Sequence, residues 1–574
     1  MFKFDKKINT YLVYLIPLAA ALAARIILFS SWMESPFRYY HKVSGLDMKT
    51  ILNFVEAFSH GGSEFSIYKL FAFLCLKTGG GVPAIILGQL ILGLSTVLLI
   101  TFISHRIFRN KLAAMISGTI AALYAPELMY ESMTLIESVS VFISALSLGV
   151  LVLQADRPRS NYLFFIAGAA ATLPSLMRFS GVLWTLLAVC WLIISNIRKE
   201  RRSGIKVPVK SLGLPLAGMA AVLIPVSIIN LMTISSLNPL PALPQAGYAI
   251  KTGVEMNFTG RPFITNQNLS RNSIGNITAK AKNYAEKFLC LFKAYEIPDN
   301  LNYYFVREFL KPLKDMPGPL LLIPFATLGM LIMIYRRRFS GESILLFIYL
   351  VSFAVPFTIF IPLGRYRLIL LPVFCAFAGY ALIFIISSIL HFQKKYLTLL
   401  ILALAYSVLF KFAGPKTIPL RPEDFVAYGN AMEISEKYGS RDISGAYRIA
   451  HGINPASISA AIFLANFLMK NSEFAEAEEV LKDIYGANPD NQTVSISYAS
   501  SLLGNGNAEN AEKVLMGIPE PYSRTSKVNY YYQLGESRRM QGKKNEAKIC
   551  YQLALHYSDT DAQRQLINKV IEQK

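Results

Sequence analysis

Charge is scarce in this 574-residue chain: Asp, Glu, Lys and Arg make up 16% of it, where a soluble globular protein carries about a quarter. That shortage excludes an ordinary cytosolic enzyme, and it equally excludes a disordered chain, which needs high charge and low hydrophobicity. Cysteine is scarce too, at five residues. With no CxxC spacing among them, a disulfide-rich scaffold is excluded. The six histidines form no ligand pattern such as HExxH, so no metal centre is expected on spacing alone. What is plentiful is apolar matter, 53% of residues, with a mean hydropathy of +0.40. Acidic residues are outnumbered 36 to 57 by Lys and Arg. In so apolar a chain that excess belongs first in cytoplasmic loops rather than on nucleic acid, and no nucleic-acid partner is expected.

A bilayer core takes about 20 apolar residues per helix. Eleven runs approach that length: 11–31, 82–104, 112–126, 133–154, 161–177, 180–197, 211–236, 318–335, 343–363, 367–390 and 396–413. With the N-terminus in the cytoplasm, the inward segments Met1–Thr10, His105–Lys111, Ala155–Ser160, Arg198–Lys210, Arg336–Glu342 and His391–Lys395 hold 19 Lys/Arg. The short outward turns 127–132, 178–179 and 364–366 hold only Arg178 and Arg365. This is the asymmetry that sets orientation in membranes. An odd number of spans then puts everything after residue 413 outside. The first run is too long for the h-region of a cleaved signal peptide, which is about 7–15 residues.

Two outward loops are long, 32–81 and 237–317. The first holds amphipathic stretches at Met48–Phe58 and Ser66–Leu76, expected to be short helices on the membrane face. The second runs through a Pro-rich piece, Asn238–Pro244, then Gly247–Arg261 and a helical-looking Thr278–Phe292. Loops of this length inside a folded protein usually carry function.

From about residue 421 the composition becomes that of a soluble helical domain, and a repeat appears. Asn454-Pro455 recurs as Asn488-Pro489, 34 residues on, and the same spacing links Ala465 to Ala499, Leu468 to Leu502, Ala477 to Ala511 and Leu481 to Leu515. Another unit follows with Gly535, Ala547, Tyr551 and Ala554, and a degenerate one precedes with Ala431, Tyr447, Ala450 and Pro455. Small residues at these offsets let paired antiparallel helices approach, and the proline ends the second helix. The pattern resembles the tetratricopeptide repeat, over roughly 421–559, and implies a protein partner for that domain. The expected architecture is all-α: a polytopic bundle over 1–413, a linker at 414–420, and an α-solenoid with a short tail over 421–574.

The candidate chemistry lies at the outward face. Asp47 follows the first span and opens an amphipathic helix. Glu137 lies just inside the fourth span, in Tyr130-Glu-Ser-Met-Thr-Leu-Ile-Glu-Ser138. An ionisable group there costs about 2.5–3.5 kcal/mol, so it faces a cavity or a partner such as Arg178. Glu127 and Glu131 are read as surface residues. Arg178, Arg365 and Arg367 run against the positive-inside bias and call for an anion. A lipid phosphate is the natural one, since the guanidinium grips phosphate through a fork.

An early Asp in a long outer loop, the Tyr130…Glu137 element, Arg178 ahead of Gly181 and the Arg365-Tyr-Arg…Leu-Pro372 run together resemble the GT-C glycosyltransferases. These are integral-membrane enzymes related to protein mannosyltransferases and lipid A aminoarabinose transferases. Gly247–Gly253 and Tyr295–Asn300 are similar to outer-loop segments of bacterial members. Many relatives carry a paired Asp-Glu where this chain has Asp47-Met48. The resemblance covers about 11–412. It implies transfer of a sugar from a polyprenyl-phosphate donor to a lipid, glycan or protein acceptor at the outer face of a bacterial inner membrane. Asp47 would be the base and Glu137 a supporting or acceptor-binding carboxylate; Arg178, Arg365 and Arg367 would clamp the lipid phosphate. Some relatives use a divalent metal, though no ligand set here demands one. A non-catalytic scaffold or lipid-linked-glycan transporter, and an O-antigen ligase or polymerase, are the alternatives.

Overall fold

The computed structural model describes residues 9–156, 161–203, 209–240, 277–336, 340–390, 405 and 420–572. The described residues are helical, with no strand among them, as the hydropathy and repeat patterns predict. The chain divides into two compact units, Met1–Pro419 and Leu420–Lys574.

The first unit opens with α1 (Thr10–Glu34), capped by Asn9, whose side chain accepts from the Tyr11 N–H. The loop that follows folds into two short helices, α2 (Asp47–Ser59) and α3 (Ile67–Lys77). Then come α4 (Gly81–Phe108), α5 (Lys111–Leu123), α6 (Ala125–Glu131), α7 (Glu137–Asp156) and α8 (Asn161–Thr172). They are followed by α9 (Gly181–Ser203), α10 (Val209–Ile234), α11 (Ile277–Leu289) and α12 (Tyr303–Phe309). The unit continues with α13 (Pro319–Tyr335), α14 (Gly341–Ile359), the single turn α15 (Gly364–Arg367) and α16 (Leu371–Leu390).

Six segments are long and apolar enough to cross a membrane: Thr10–Glu34, Gly81–Phe108, Glu137–Ala155, Gly213–Ile234, Gly341–Ile359 and Gly364–Ile389. The pair α5 and α6, bent by 51°, makes a seventh if it counts as one span. The expected count of eleven is therefore not reached among the described residues. Ten of the eleven runs fall on helices, but proline cuts several short. Pro126 sits at the start of α6, just past the break at Tyr124. Pro174 turns the end of α8 into a short 3-10 stretch, Leu173–Leu176. At 1.5 Å per residue, the 12 residues of α8 make about 18 Å, well short of a core of about 30 Å. The run at 396–413 lies outside the described residues, as do most of the 414–420 linker and Gly247–Arg261.

Helix α1 packs on α4 and α5, α5 on α16, α4 on α7, and α13 on α16. A close approach joins α8 to α10. There a side chain on Gly168 would meet the Pro215 carbonyl, and one on Gly218 would meet that of Phe165. Small residues at a crossing let backbones touch where lipid offers no hydrophobic drive.

The second unit stacks α17 (Pro422–Ser435), α18 (Ser440–Ile453), α19 (Ile458–Lys470), α20 (Phe474–Ala487), α21 (Gln492–Gly504), α22 (Ala508–Met516), α23 (Arg524–Met540), α24 (Lys544–Tyr557) and α25 (Asp561–Glu572). Each of the residues related by the 34-residue spacing, from Ala465 and Ala499 to Leu481 and Leu515, is at most 2% exposed. Asn454 and Asn488 stand at the C-caps of α18 and α20, where the following proline stops the helix. Gly429 and Gly535 each leave room for a tyrosine ring of the paired helix, Tyr447 and Tyr551. A larger side chain in these helix pairs overpacks them. Ala499→Leu is expected to cost the 420–574 unit about 1–3 kcal/mol, read as a lower urea midpoint with an unchanged slope.

Candidate active site

Four of the five residues singled out in the sequence meet in one cluster, although they come from four separate elements. Asp47 is the first residue of α2 and Glu137 the first of α7. Both carboxylates thus stand at helix N-termini, where the backbone dipole favours negative charge. The helix begins at Glu137 rather than at 133, because residues 132–136 form a turn. Arg178 follows the 3-10 stretch after α8, and Arg365 lies in α15.

Arg365 is the centre. Its Nη1 donates to Asp47 Oδ2 at 2.6 Å, its Nη2 lies 2.7 Å from Asp299 Oδ2, and its Nε lies 4.0 Å from Glu137 Oε1. The same Glu137 oxygen accepts from Arg178 Nη2 at 2.5 Å. Both guanidinium groups lie 5.0 Å from the centre of the Tyr366 ring, an attraction of cation for π-face that also holds the two positive groups in line. The depth is graded. The Glu137 side chain is 1% exposed, those of Arg178 and Arg365 17% and 18%, and those of Asp299 and Asp47 27% and 37%. Glu137 forms the floor, the arginines the walls, and the two aspartates the rim.

Several polar atoms of this cluster have no hydrogen-bond partner among the described residues: Glu137 Oε2, Arg178 Nε and Arg365 Nε. Buried groups normally find partners, and these three atoms of the cluster are ones that the described residues leave unpaired. Burial pushes the Asp299 carboxyl up from its ordinary value, and the Arg365 guanidinium works against that push.

Arg367 is elsewhere. It is 4% exposed and pairs with Glu296 at 2.7 Å. It also donates to the carbonyls of Lys293, Cys290, Leu291 and Tyr295. Tyr124 OH donates to the same Glu296 at 3.2 Å, and Gly364 N–H donates to the Ile297 carbonyl at 3.0 Å. Arg367 and Gly364 thus fasten the segment 290–297 to α15, just ahead of Asp299. The structure does not bring Arg367 together with the other four.

Asp299 is the member of the cluster that spacing and composition missed. It stands in Tyr295-Glu-Ile-Pro-Asp-Asn300, whose sequence carries no charge pattern pointing to Arg365. Glu127 and Glu131, expected at the surface, are 1% and 0% exposed. The break before Pro126 turns α6 back into the bundle, and Glu131 Oε1 accepts from Arg25 Nη2 at 2.5 Å.

A tetratricopeptide repeat model matches residues 468–529. No curated protein is similar to the chain in sequence. Among solved structures, the oligosaccharyltransferase of Archaeoglobus fulgidus in its apo form is 14% identical, with a TM-score of 0.41 over 74% of this chain and 56% of that one. The same enzyme in complex with zinc and sulfate is 16% identical, with a TM-score of 0.40 over 76% and 56%. The archaeal oligosaccharyltransferase AglB from Archaeoglobus fulgidus, in complex with an inhibitory peptide and a dolichol-phosphate, is 13% identical, with a TM-score of 0.38 over 75% and 59%. The chain spans rather more than half the length of these structures.

Proposed function

We propose that the chain is an integral-membrane glycosyltransferase that moves a sugar from a polyprenyl-phosphate carrier to an acceptor at the extracytoplasmic face. The observation that carries this reading is the convergence of Asp47, Asp299 and Glu137 on Arg365 and Arg178, in a cluster open at the aspartates and closed at Glu137.

The chemistry follows from the residue types. An acceptor hydroxyl attacks the anomeric carbon and needs a carboxylate to take its proton. Asp47, at the rim, is that base; the proton passes from the hydroxyl to its carboxylate as the new glycosidic bond forms. The bond that breaks joins the anomeric carbon to a phosphate oxygen, and the electron pair stays with the phosphate. A phosphate leaves without being protonated, so the site needs fixed positive charge rather than an acid. Arg178 and Arg365 supply it. Glu137, bound to Arg178, orients that guanidinium from the floor. A donor phosphate competes with these carboxylates for the same guanidinium donors. In this reading the 421–574 unit docks a protein partner.

The test uses the full chain in vesicles supplied with extracted polyprenyl-phosphate sugars and labelled membranes. Asp47→Asn is expected to lower transfer by about 10²–10⁴-fold with normal membrane insertion, and Asp299→Asn by less. Loss in Asp299→Asn with survival in Asp47→Asn would move the base to Asp299. Survival in both would remove the mechanism and favour a ligase that moves glycan en bloc. Absence of transfer by the parent from every carrier tried would favour the scaffold.

A further inference from the structure

Glu137 owes its place to a turn, residues 132–136, that connects the buried half-helix α6 to α7. Two side chains outside the cluster hold the chain at this connection. Gln89, in α4 and 0% exposed, donates from its single amide nitrogen to the carbonyls of Glu131 at 2.9 Å and Met133 at 2.7 Å. Both amide hydrogens are thereby spent on the backbone just before Glu137. The amide oxygen of Gln89 accepts in turn from Tyr68 OH at 3.2 Å, which fixes the amide's orientation. Arg25, in α1 and 3% exposed, holds the Glu131 carboxylate and also donates to the Ala122 carbonyl at 3.3 Å, at the C-terminal end of α5. It therefore spans the break between α5 and α6 from both sides. Gly93, one turn along α4 from Gln89, makes room for this. A β-carbon there would come within 2.0 Å of Glu131 Oε1 and 2.7 Å of Arg25 Nη2.

These contacts do more than the fold requires. A buried, apolar helix crossing would close the same space without placing a glutamine, an arginine and a glycine against one turn. Replacing a buried ion pair by hydrophobic residues is often neutral or stabilising. What the polar set adds is a fixed register for the backbone at 131–133, and thus for the first carboxylate of α7. We propose that Gln89 and Arg25 are positioning residues that set the placement of Glu137 against Arg178 and Arg365. That placement has a catalytic consequence only through the transferase reading above, on which this part of the proposal rests.

The test separates the two. In a full-length background lacking the five native cysteines, Ser138→Cys places a thiol beside Glu137, at a position 2% exposed in the parent. Its rate of reaction with a polar maleimide reports the register of the turn without any need for turnover. Gln89→Leu and Gly93→Ala are each expected to raise that rate by about 10-fold or more. Gln89→Glu, which keeps size and the acceptor but loses both donors, should do the same. Arg25→Lys, which retains the charge facing Glu131, should stay near the parent where Arg25→Met does not. In the transfer assay, with Ser138 and the cysteines intact, the same Gln89 and Gly93 variants are expected to lose about 10–10²-fold in kcat. KM for the donor should change by no more than about 2-fold, since the interactions lost belong to the reacting geometry rather than to binding.

Faster labelling with a fall confined to kcat supports the proposal. Unchanged labelling in both Gln89→Glu and Gly93→Ala overturns it. Faster labelling with kcat unchanged overturns the positioning role, since the turn would then move without consequence. A parent that transfers nothing defeats the transferase reading, while the labelling arm still decides whether these residues fix the turn.

Discussion

Arg365→Met is expected to lower transfer by about 10²–10³-fold, the loss typical when one preorganised donor to a developing anion is removed. Methionine keeps the length of the side chain and is tolerated at a partly buried site. The defect is therefore expected in the initial rate measured in vesicles, with yield and insertion close to the parent. Arg365 is the place for a large effect because three carboxylates share it. Without it Asp47 and Asp299 face each other unscreened, and the departing phosphate loses a guanidinium. Asp47 and Asp299 are partly open to water, and Glu137 keeps Arg178, so the uncompensated charge is relieved without unfolding. Arg365→Lys should recover only part of the rate, since a single ammonium reproduces neither the fork nor the two-sided reach of the guanidinium. Equal rates for parent and Met variant would remove Arg365 from the leaving-group role.

Arg367→Met has the opposite signature. It strands the Glu296 carboxylate, 6% exposed, and orphans the carbonyls at 290–295 in one step. Breaking a buried pair from one side costs about 3–5 kcal/mol, a large part of the roughly 5–15 kcal/mol that a typical domain has. The expected result is poor yield and a marked fall in thermal stability of the detergent-solubilised protein. Glu296→Gln, which keeps an acceptor for both Arg367 and Tyr124, should be milder. Joint replacement of Arg367 and Glu296 by Met and Leu should recover part of the loss, because no unpaired charge is left behind. An Arg367→Met protein of normal stability that nonetheless fails in transfer would return this residue to the phosphate-binding set.

These two arginines lie two positions apart in one short motif, and nothing local in the sequence tells them apart. Their sequence signal is the same: a basic residue against the charge bias at the head of a span. What separates them is the face each presents, and that is fixed by partners 71 and 318 residues away. The helical class, the 34-residue repeat and the burial of its small residues were legible because each follows from a period or a composition. The pairing of Glu137 with Arg178 was legible as an alternative, since a carboxylate near a span end needs a partner. Asp299 was not, because its role depends on how the 290–297 segment is fastened. Nor was the burial of Glu127 and Glu131, which hangs on the direction the chain takes after the break at Tyr124. The eleven expected spans are not reached among the described residues for a related reason: hydropathy counts apolar residues and does not register where proline ends a helix.

The bond between Asp47 and Arg365 joins residues 318 positions apart, and this has a consequence for biosynthesis. At about 5–20 residues per second, Asp47 leaves the ribosome roughly 15–60 s before its counter-charge is made, and Glu137 precedes Arg365 by more than 200 residues. During that interval the first carboxylates of the site stand in a half-built bundle with no Arg365 to hold them. Assembly of the cluster is thus a late event in the making of the first unit, and a nascent chain stalled before residue 365 lacks its centre. The cluster cannot close until most of its unit has been made, a timing that the order of residues along the chain imposes without any separate regulator.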